Sequence, residues 1–397
     1  MKTVTKILFL LAATSAHVAT AAVLPEDRAD ILFHSYEGGG ATINGPSVLV
    51  RKGIKDTVSV YANYYVDMVT SATIDVEVQG ASEYEEERTE YSVGVDYLFD
   101  KTIMSLGFTN SSENDYEADT IGFGISQDFF GDLTNISLGF SYGSDTVSKT
   151  VVDDTTGAAQ AEYVGDNEHR RYKLGISQIL TKDFLIALNF ESVIDSGFLN
   201  NPYRQVRALD ATTGFTSAVA QPENYPETRN SDAFAIRGLY YLPYRASVGL
   251  EFRSFSDSWG IQASSYELKY VHPIESLGLV IEGKIRSYSQ TQADFYSDLF
   301  PYNEDPDNLI EFRARDKEMS TFDTSTFGLG VTYEFPKGLI PYFEKASANL
   351  YWDHIQFDYD NFRDARPSSA PVPPALGQEP LYTFNANVVR LFLSFWY

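Results

Sequence analysis

Apolar and polar side chains alternate with a period of two along most of this chain. In "RASVGLEFRSF", Ala246, Val248, Leu250 and Phe252 alternate with Arg245, Ser247, Gly249, Glu251 and Arg253. "LGLVIEGKIRS" sets Leu277, Leu279, Ile281 and Ile285 against Gly278, Glu282, Lys284 and Arg286, and "TFGLGVTYEF" sets Phe327, Leu329, Val331 and Tyr333 against Gly328, Gly330, Thr332 and Glu334. The same beat recurs at Val58–Tyr64, Tyr91–Tyr97, Ile136–Tyr142, Phe184–Phe190 and Tyr266–Tyr270. A strand turns successive side chains to opposite faces, so each segment is expected to be a strand with one apolar face. Glycines (Gly94, Gly107, Gly124, Gly139, Gly175) fall on the opposite faces. They would fill a solid core poorly.

The chain ends on "VRLFLSFWY", with Val389, Leu391, Leu393, Phe395 and Tyr397 on one face of a last strand. A soluble β-sandwich also alternates, but its apolar faces meet each other and its turns are short at both ends. Here tight turns ("FDK", "FFGDL", "LTKD", "LPYR", "HPIES") alternate with long, polar, acidic connections at 70–88, 146–167, 196–229, 291–323 and 361–379. Short periplasmic turns, long outer loops and an aromatic-bordered apolar band are the pattern of an outer-membrane barrel. Counting back from a descending last strand places "DILFHSY" as an added ascending strand that turns at Gly38-Gly39-Gly40. The expected fold is therefore an all-β transmembrane antiparallel barrel of about 16 strands, with 14 if the amino-terminal segment folds inside.

Residues 1–21 read as a signal peptide: Lys2 and Lys6, an apolar run from Ile7 to Ala13, and small residues up to Ala21. Residues 22–397 are then one barrel domain destined for the outer membrane of a Gram-negative cell. No later segment approaches the apolar length of a spanning helix, and a barrel is the other structure that satisfies its backbone in lipid.

Composition narrows the partners. A net charge of −25 makes nucleic acid an unsuitable partner. With no cysteine there are no disulfides or thiolate sites. Outer-membrane lipid, lipopolysaccharide and the barrel-assembly machinery are the expected partners, the last because the closing strand and its terminal aromatic resemble the signal that this machinery reads.

Several stretches are similar to one bacterial family. "EDRADILFHSYEGGG", "INGPSVLVRK", "VSVYANYYVDMVTSATIDV", "YSVGVDYLFDKTIMSLGFTNSSENDYEADT" and "GISQDFFGDLT" resemble the domain of unknown function 3570 family. The resemblance implies an outer-membrane barrel and brings no activity with it. It also implies a periplasmic or lipoprotein partner in a surface system.

Within a barrel, the inward positions carry Asp96, Arg171, Lys173, Glu191, Arg237, Arg245, Glu251, Arg253, Glu267, Lys269, Glu282, Lys284, Arg286, Glu334, Asp353 and Arg390. Acids and bases nearly balance there, so the acidic excess must sit in the loops. Arg237, Glu251, Arg253, Glu267, Lys269, Glu282, Lys284 and Arg286 form one cluster on four successive strands. They can either line a selective pore or pair with one another to stiffen the wall. Clustered acids such as Glu83, Glu85, Glu86 and Glu87, or Glu304, Asp305 and Asp307, would suit a hard cation, but none shows the spacing of a calcium-binding hand. No metal, cofactor or catalytic site is expected. His34, His169, His272 and His354 are each isolated near a strand end or turn, and "GISQD" and "GISQI" lack the last glycine of a nucleophile elbow.

Two functions remain. One is a channel for a small hydrophilic solute through the mixed-charge lumen. The other is a closed barrel that serves as a scaffold or docking component of a surface or periplasmic assembly. Loops 196–229 or 291–323 sealing the lumen would favour the second, and an open cavity the first.

Overall fold

A computed structural model describes residues 23–71, 84–152, 159–214, 216–301, 311–366, 372 and 374–397. Residues 1–21, read above as a signal peptide, Glu83 and the Glu304, Asp305 and Asp307 cluster lie outside these residues. In chain order the strands are β1 (Arg28–Gly38), β2 (Ala41–Ile54), β3 (Val58–Ser71), β4 (Tyr84–Phe99), β5 (Thr102–Ser112), β6 (Tyr116–Phe129), β7 (Thr134–Val152), β8 (Ala159–Thr181) and β9 (Phe184–Gly197). There follow β10 (Gln205–Leu209), β11 (Ala218–Pro222), β12 (Thr228–Tyr241), β13 (Ser247–Asp257), β14 (Gln262–Ile274), β15 (Leu279–Gln290), β16 (Phe322–Glu334), β17 (Lys345–Arg363) and β18 (Leu381–Trp396). Sixteen of them close into one antiparallel barrel, while β10 and β11 form a separate hairpin in the β9–β12 connection.

The seam joins the first barrel strand to the last, from Arg28 opposite Trp396 to Gly38 opposite Ala386. This is the role the sequence assigns to "DILFHSY". The count is 16 rather than 14, because β1 also pairs with β2 along its whole length. Turns at the periplasmic end are tight and use left-handed backbone at Lys55 and Asp56, Asp100, Asp132 and Gly278. Phe99, Phe130, Tyr244 and Tyr342 stand exposed beside these turns, where a membrane interface favours aromatic side chains.

In the lower barrel the expected apolar set faces outward. Leu106, Phe123, Leu138, Leu250, Ile285, Leu329, Leu350 and Leu391 are all exposed, which is favourable only where the outside is hydrocarbon. The rule then inverts along each long strand. On β17, Leu350 faces out and is 50% exposed, whereas three turns of the pleat higher Phe357 faces in and is 5% exposed. On β18 the outward apolar residues Val389 and Leu391 give way to inward Tyr382, Ala386 and Val388, with Thr383, Asn385 and Asn387 outside and exposed. Above the membrane the outside is water, so the apolar face must turn to the interior. The upper barrel consequently has a packed core of the soluble kind, and the lower barrel does not.

The connections differ from expectation in one respect. Strands β7 and β8 continue to Val152 and from Ala159, so most of 146–167 is barrel wall standing above the membrane. The outer connections at 113–115 and 258–261 are as tight as the periplasmic ones.

Candidate functional site

The eight clustered charges do converge on one stretch of inner wall. Arg237 on β12 forms an ion pair with Glu251 opposite it on β13. Lys269 Nζ lies 2.6 Å from Glu282 Oε1, between β14 and β15. Lys284 reaches past β16 to Asp353 Oδ1 at 2.8 Å, and Arg390 Nη2 meets the other oxygen of Asp353 at 2.8 Å. Among the described residues Arg253 and Glu267 make no ion pair, and Arg286 has a single 3.4 Å contact, to the Ser265 hydroxyl. The cluster is thus part stiffening lattice and part unpaired charge.

Two inward positions differ from expectation. Arg245 is not on the lumen wall: it occupies the left-handed turn before β13 and pairs with Glu275 of the next turn. Glu334 is at the exposed periplasmic rim, 2.9 Å from Lys345 Nζ. Sequence periodicity also passed over a second wall cluster, Arg51 Nη1 to Asp96 Oδ2 at 2.5 Å, with Ser105 donating to Asp96 at 2.6 Å and Tyr61 beneath the guanidinium. "VLVRKG" alternates correctly, so Arg51 was open to the same reasoning.

Above the charged wall, the long connections turn inward and pack. Tyr225 from the β9–β12 connection, Trp259 from the β13–β14 turn and Phe295 from the β15–β16 connection touch ring to ring, at 5.3–5.4 Å between centroids. With Tyr296 and Met319 they belong to the same buried cluster as the inward Phe322, Phe357, Tyr359 and Tyr382 of β16–β18. Polar bonds lock the loops to one another. Arg204 pairs with Asp316 at 2.7 Å, and Arg207 bridges Asp298 and Glu379, each at 2.7 Å. Arg315 sits 4.5 Å over the Phe362 ring and 3.0 Å from Asp298. Burial pushes the Glu223 carboxyl up to about 7, with Asp316 adding to it. Glu318 is pushed up to about 8, again by burial first and Asp316 second.

The histidines are less isolated than their spacing suggests. His34 and His169 face inward from within strands. Nε2 of His34 lies 2.7 Å from Asp67, and its ring stacks on Tyr65. His169 stands between two aspartates, Asp195 at 2.6 Å on Nδ1 and Asp145 at 2.7 Å on Nε2. With both ring nitrogens donating, the imidazolium acts as a clamp across β7, β8 and β9, and no lone pair remains for base chemistry. His272 and His354 are half-buried, bonded to Tyr270 and Asn387.

Of the carboxy-terminal set, Val389 and Leu391 are exposed on the outer face. Phe395 packs 5.0 Å from the Phe343 ring. Leu393 is half-buried, and Tyr397 lies past the end of β18, its hydroxyl donating to the Arg51 carbonyl at 2.9 Å.

The chain is similar to one family and to several solved structures. The family described as "Protein of unknown function (DUF3570)" matches residues 75–344. No curated protein matches the chain. Among solved structures, a "bacterial polysaccharide outer membrane secretin" is similar at 8% identity and a TM-score of 0.49, covering 94% of this chain and 99% of the other. The ferric citrate transporter FecA in its unliganded form is similar at 10% identity and 0.43, covering 95% and 80%. OprD from Pseudomonas aeruginosa is similar at 10% identity and 0.39, covering 94% and 95%.

Proposed function

We propose that this chain, which belongs to the DUF3570 family and is an outer-membrane β-barrel, is a loop-restricted channel for a small, hydrophilic, negatively charged solute. The observation that carries this reading is the state of the inward cations. Among the described residues Arg171 and Arg253 make no ion pair, Arg286 has only a hydroxyl, and Lys173 is exposed with a loose 3.6 Å contact to Glu191. A wall built only for rigidity would neutralise its guanidiniums as fully as Asp353 is neutralised. Unpaired cations in a confined aqueous passage instead raise the local concentration of anions. The inward loops would set the size limit.

Reconstitution into planar bilayers under a salt gradient tests this. Stepwise conductance with a reversal potential on the anion side is expected, and Arg253→Glu together with Arg171→Glu should move it toward cations. A protein that stays silent across salt and voltage, and remains silent after residues 311–321 are shortened, would overturn the channel.

The second reading is a closed barrel acting as a scaffold, with a periplasmic or lipoprotein partner. It is favoured by the ring-to-ring packing of Tyr225, Trp259 and Phe295, which is the inward folding of the long loops that such a role requires. Copurification of a stoichiometric partner in mild detergent would support it. A trimmed barrel that conducts while the intact one is silent would also support it.

A further inference from the structure

We propose that Glu86, Glu113 and Asp115 form a calcium site at the extracellular rim of the barrel, tying β4 to the β5–β6 turn. Glu86 points inward from the upper end of β4, and Glu113 and Asp115 lie on the three-residue turn that follows β5. One carboxylate oxygen from each lies within 4.8 Å of the others. Oxygens that share one calcium ion, each about 2.3–2.6 Å from it, can be separated by at most about twice that distance. The three groups thus already stand at the spacing of a common ligand shell.

The second observation is Glu86 itself. Its side chain is 8% exposed, and its Oε2 atom is buried with no hydrogen-bond partner. A carboxyl group enclosed in this way keeps its proton, its pKa pushed up to about 8 by burial first and by Asp115 second, until a cation takes the place of that proton. Asp115 is equally buried at 8%. The guanidinium nearby belongs chiefly to other groups: Arg88 is 2.7 Å from Glu90 and 2.9 Å from the Ser111 hydroxyl, and 3.9 Å from Glu113. The site offers oxygen donors alone, in an irregular arrangement drawn from a strand and a turn. Calcium accepts such a set, whereas magnesium holds its water and demands a regular octahedron. The turn is rigid enough to present its acids, since Glu113 N–H donates to the Tyr116 carbonyl at 2.7 Å and Ser148 N–H to the Asp115 carbonyl at 2.8 Å. Glu86 belongs to the acidic run visible in the sequence. Glu113 and Asp115 join it only through the β4–β5 register.

The test uses the folded full-length barrel in detergent, stripped with a chelator and titrated with calcium by calorimetry. Terbium serves as a luminescent stand-in, excited through Tyr116, the residue after Asp115. One tight equivalent is expected, with Glu86→Gln, Glu113→Gln and Asp115→Asn each weakening it at least tenfold. Glu87→Gln, which alters the exposed outward neighbour, should leave it unchanged. Glu86→Gln removes a buried ionisable group without changing shape, so in chelator it should melt no lower than the wild type and gain nothing from calcium. Equal losses on Glu87→Gln would mean diffuse binding to acidic loops and would overturn the site. So would a wild type that binds no calcium while infrared spectra show Glu86 protonated. If a variant fails to fold, a calcium-induced shift of the wild-type carboxylate infrared bands, absent with magnesium, supports the site, and no shift overturns it.

Discussion

Lys284 and Asp353 meet at 2.8 Å across an intervening strand, and they can do so because the residue between them in register is Gly328. A Cβ at that position would lie 2.3 Å from Asp353 Oδ1 and 2.8 Å from Lys284 Cε. Arg390 holds the other carboxylate oxygen, so one buried acid joins β15, β17 and β18 over β16. Removing it as Asp353→Ala strands two cations, and should cost on the order of 3 kcal/mol in urea unfolding from detergent. Gly328→Ala should cost about as much by forcing the pair apart. A loss below about 0.5 kcal/mol for both would mean that lumen water solvates these charges and that the bridge contributes nothing.

Glu318 makes the packed loops sensitive to pH. Its side chain is half-buried, with an enclosed Oε1 atom that has no hydrogen-bond partner among the described residues. Its neighbours are Asp316, Lys317 and Arg204, with Tyr36 on the facing strand. Its folded pKa of about 8 lies above the unfolded value of about 4.3. The folded loops therefore hold the proton more tightly, and their stability falls as pH rises from about 4.5 through 8. Glu223, raised to about 7, acts in the same direction. Amide exchange over 311–321, corrected for its intrinsic pH dependence, should be more protected at pH 5.5 than at pH 8.5. Glu318→Gln should flatten most of that difference. Equal protection at both values in the wild type would show that the loops do not sense this proton.

The barrel was legible because period-two alternation survives in almost every strand, and because hydrocarbon outside enforces it. The upper core was not, although its signal is present. In "LYTFNANVVRLFLSFWY" an apolar set at even positions, Tyr382, Phe384, Ala386 and Val388, gives way to one at odd positions, Val389, Leu391, Leu393 and Phe395. Such a change of phase with no change of strand marks the membrane surface, since the burial rule reverses there. The isolation assigned to His34 and His169 failed for a different reason. Their partners Asp67, Asp145 and Asp195 are 24 or more residues away along the chain, and only the strand register brings them together. Arg245 was misplaced because the alternation of "RASVGLEF" extends one step into a turn.

His169 ties three neighbouring strands together. It is held between Asp145 and Asp195, with Tyr116 also donating to Asp145. His169→Ala takes this ring's donors away from both carboxylates at once, and His169→Asn can restore at most one of the two bonds. Urea unfolding from detergent should show both variants less stable than the wild type, with alanine losing more. Equal midpoints in all three proteins would remove the clamp from the account.

Phe395 separates assembly from stability. Its ring is half-buried against Phe343 on the outer face, so truncation to alanine removes a partial contact and should cost the refolded barrel about 1–2 kcal/mol. If the alternate residues Val389, Leu391, Leu393, Phe395 and Tyr397 are what the assembly machinery reads, the effect in cells must exceed that thermodynamic loss. Phe395→Ala should lower the amount of folded barrel in the outer membrane severalfold, with unfolded chain accumulating in the periplasm. Leu350→Ala, which removes a lipid-facing side chain from the adjacent β17, should leave the amount nearly unchanged at similar cost in vitro. Equal depletion by both variants would tie the effect to stability alone and would leave the last strand with no role beyond closing the seam with β1.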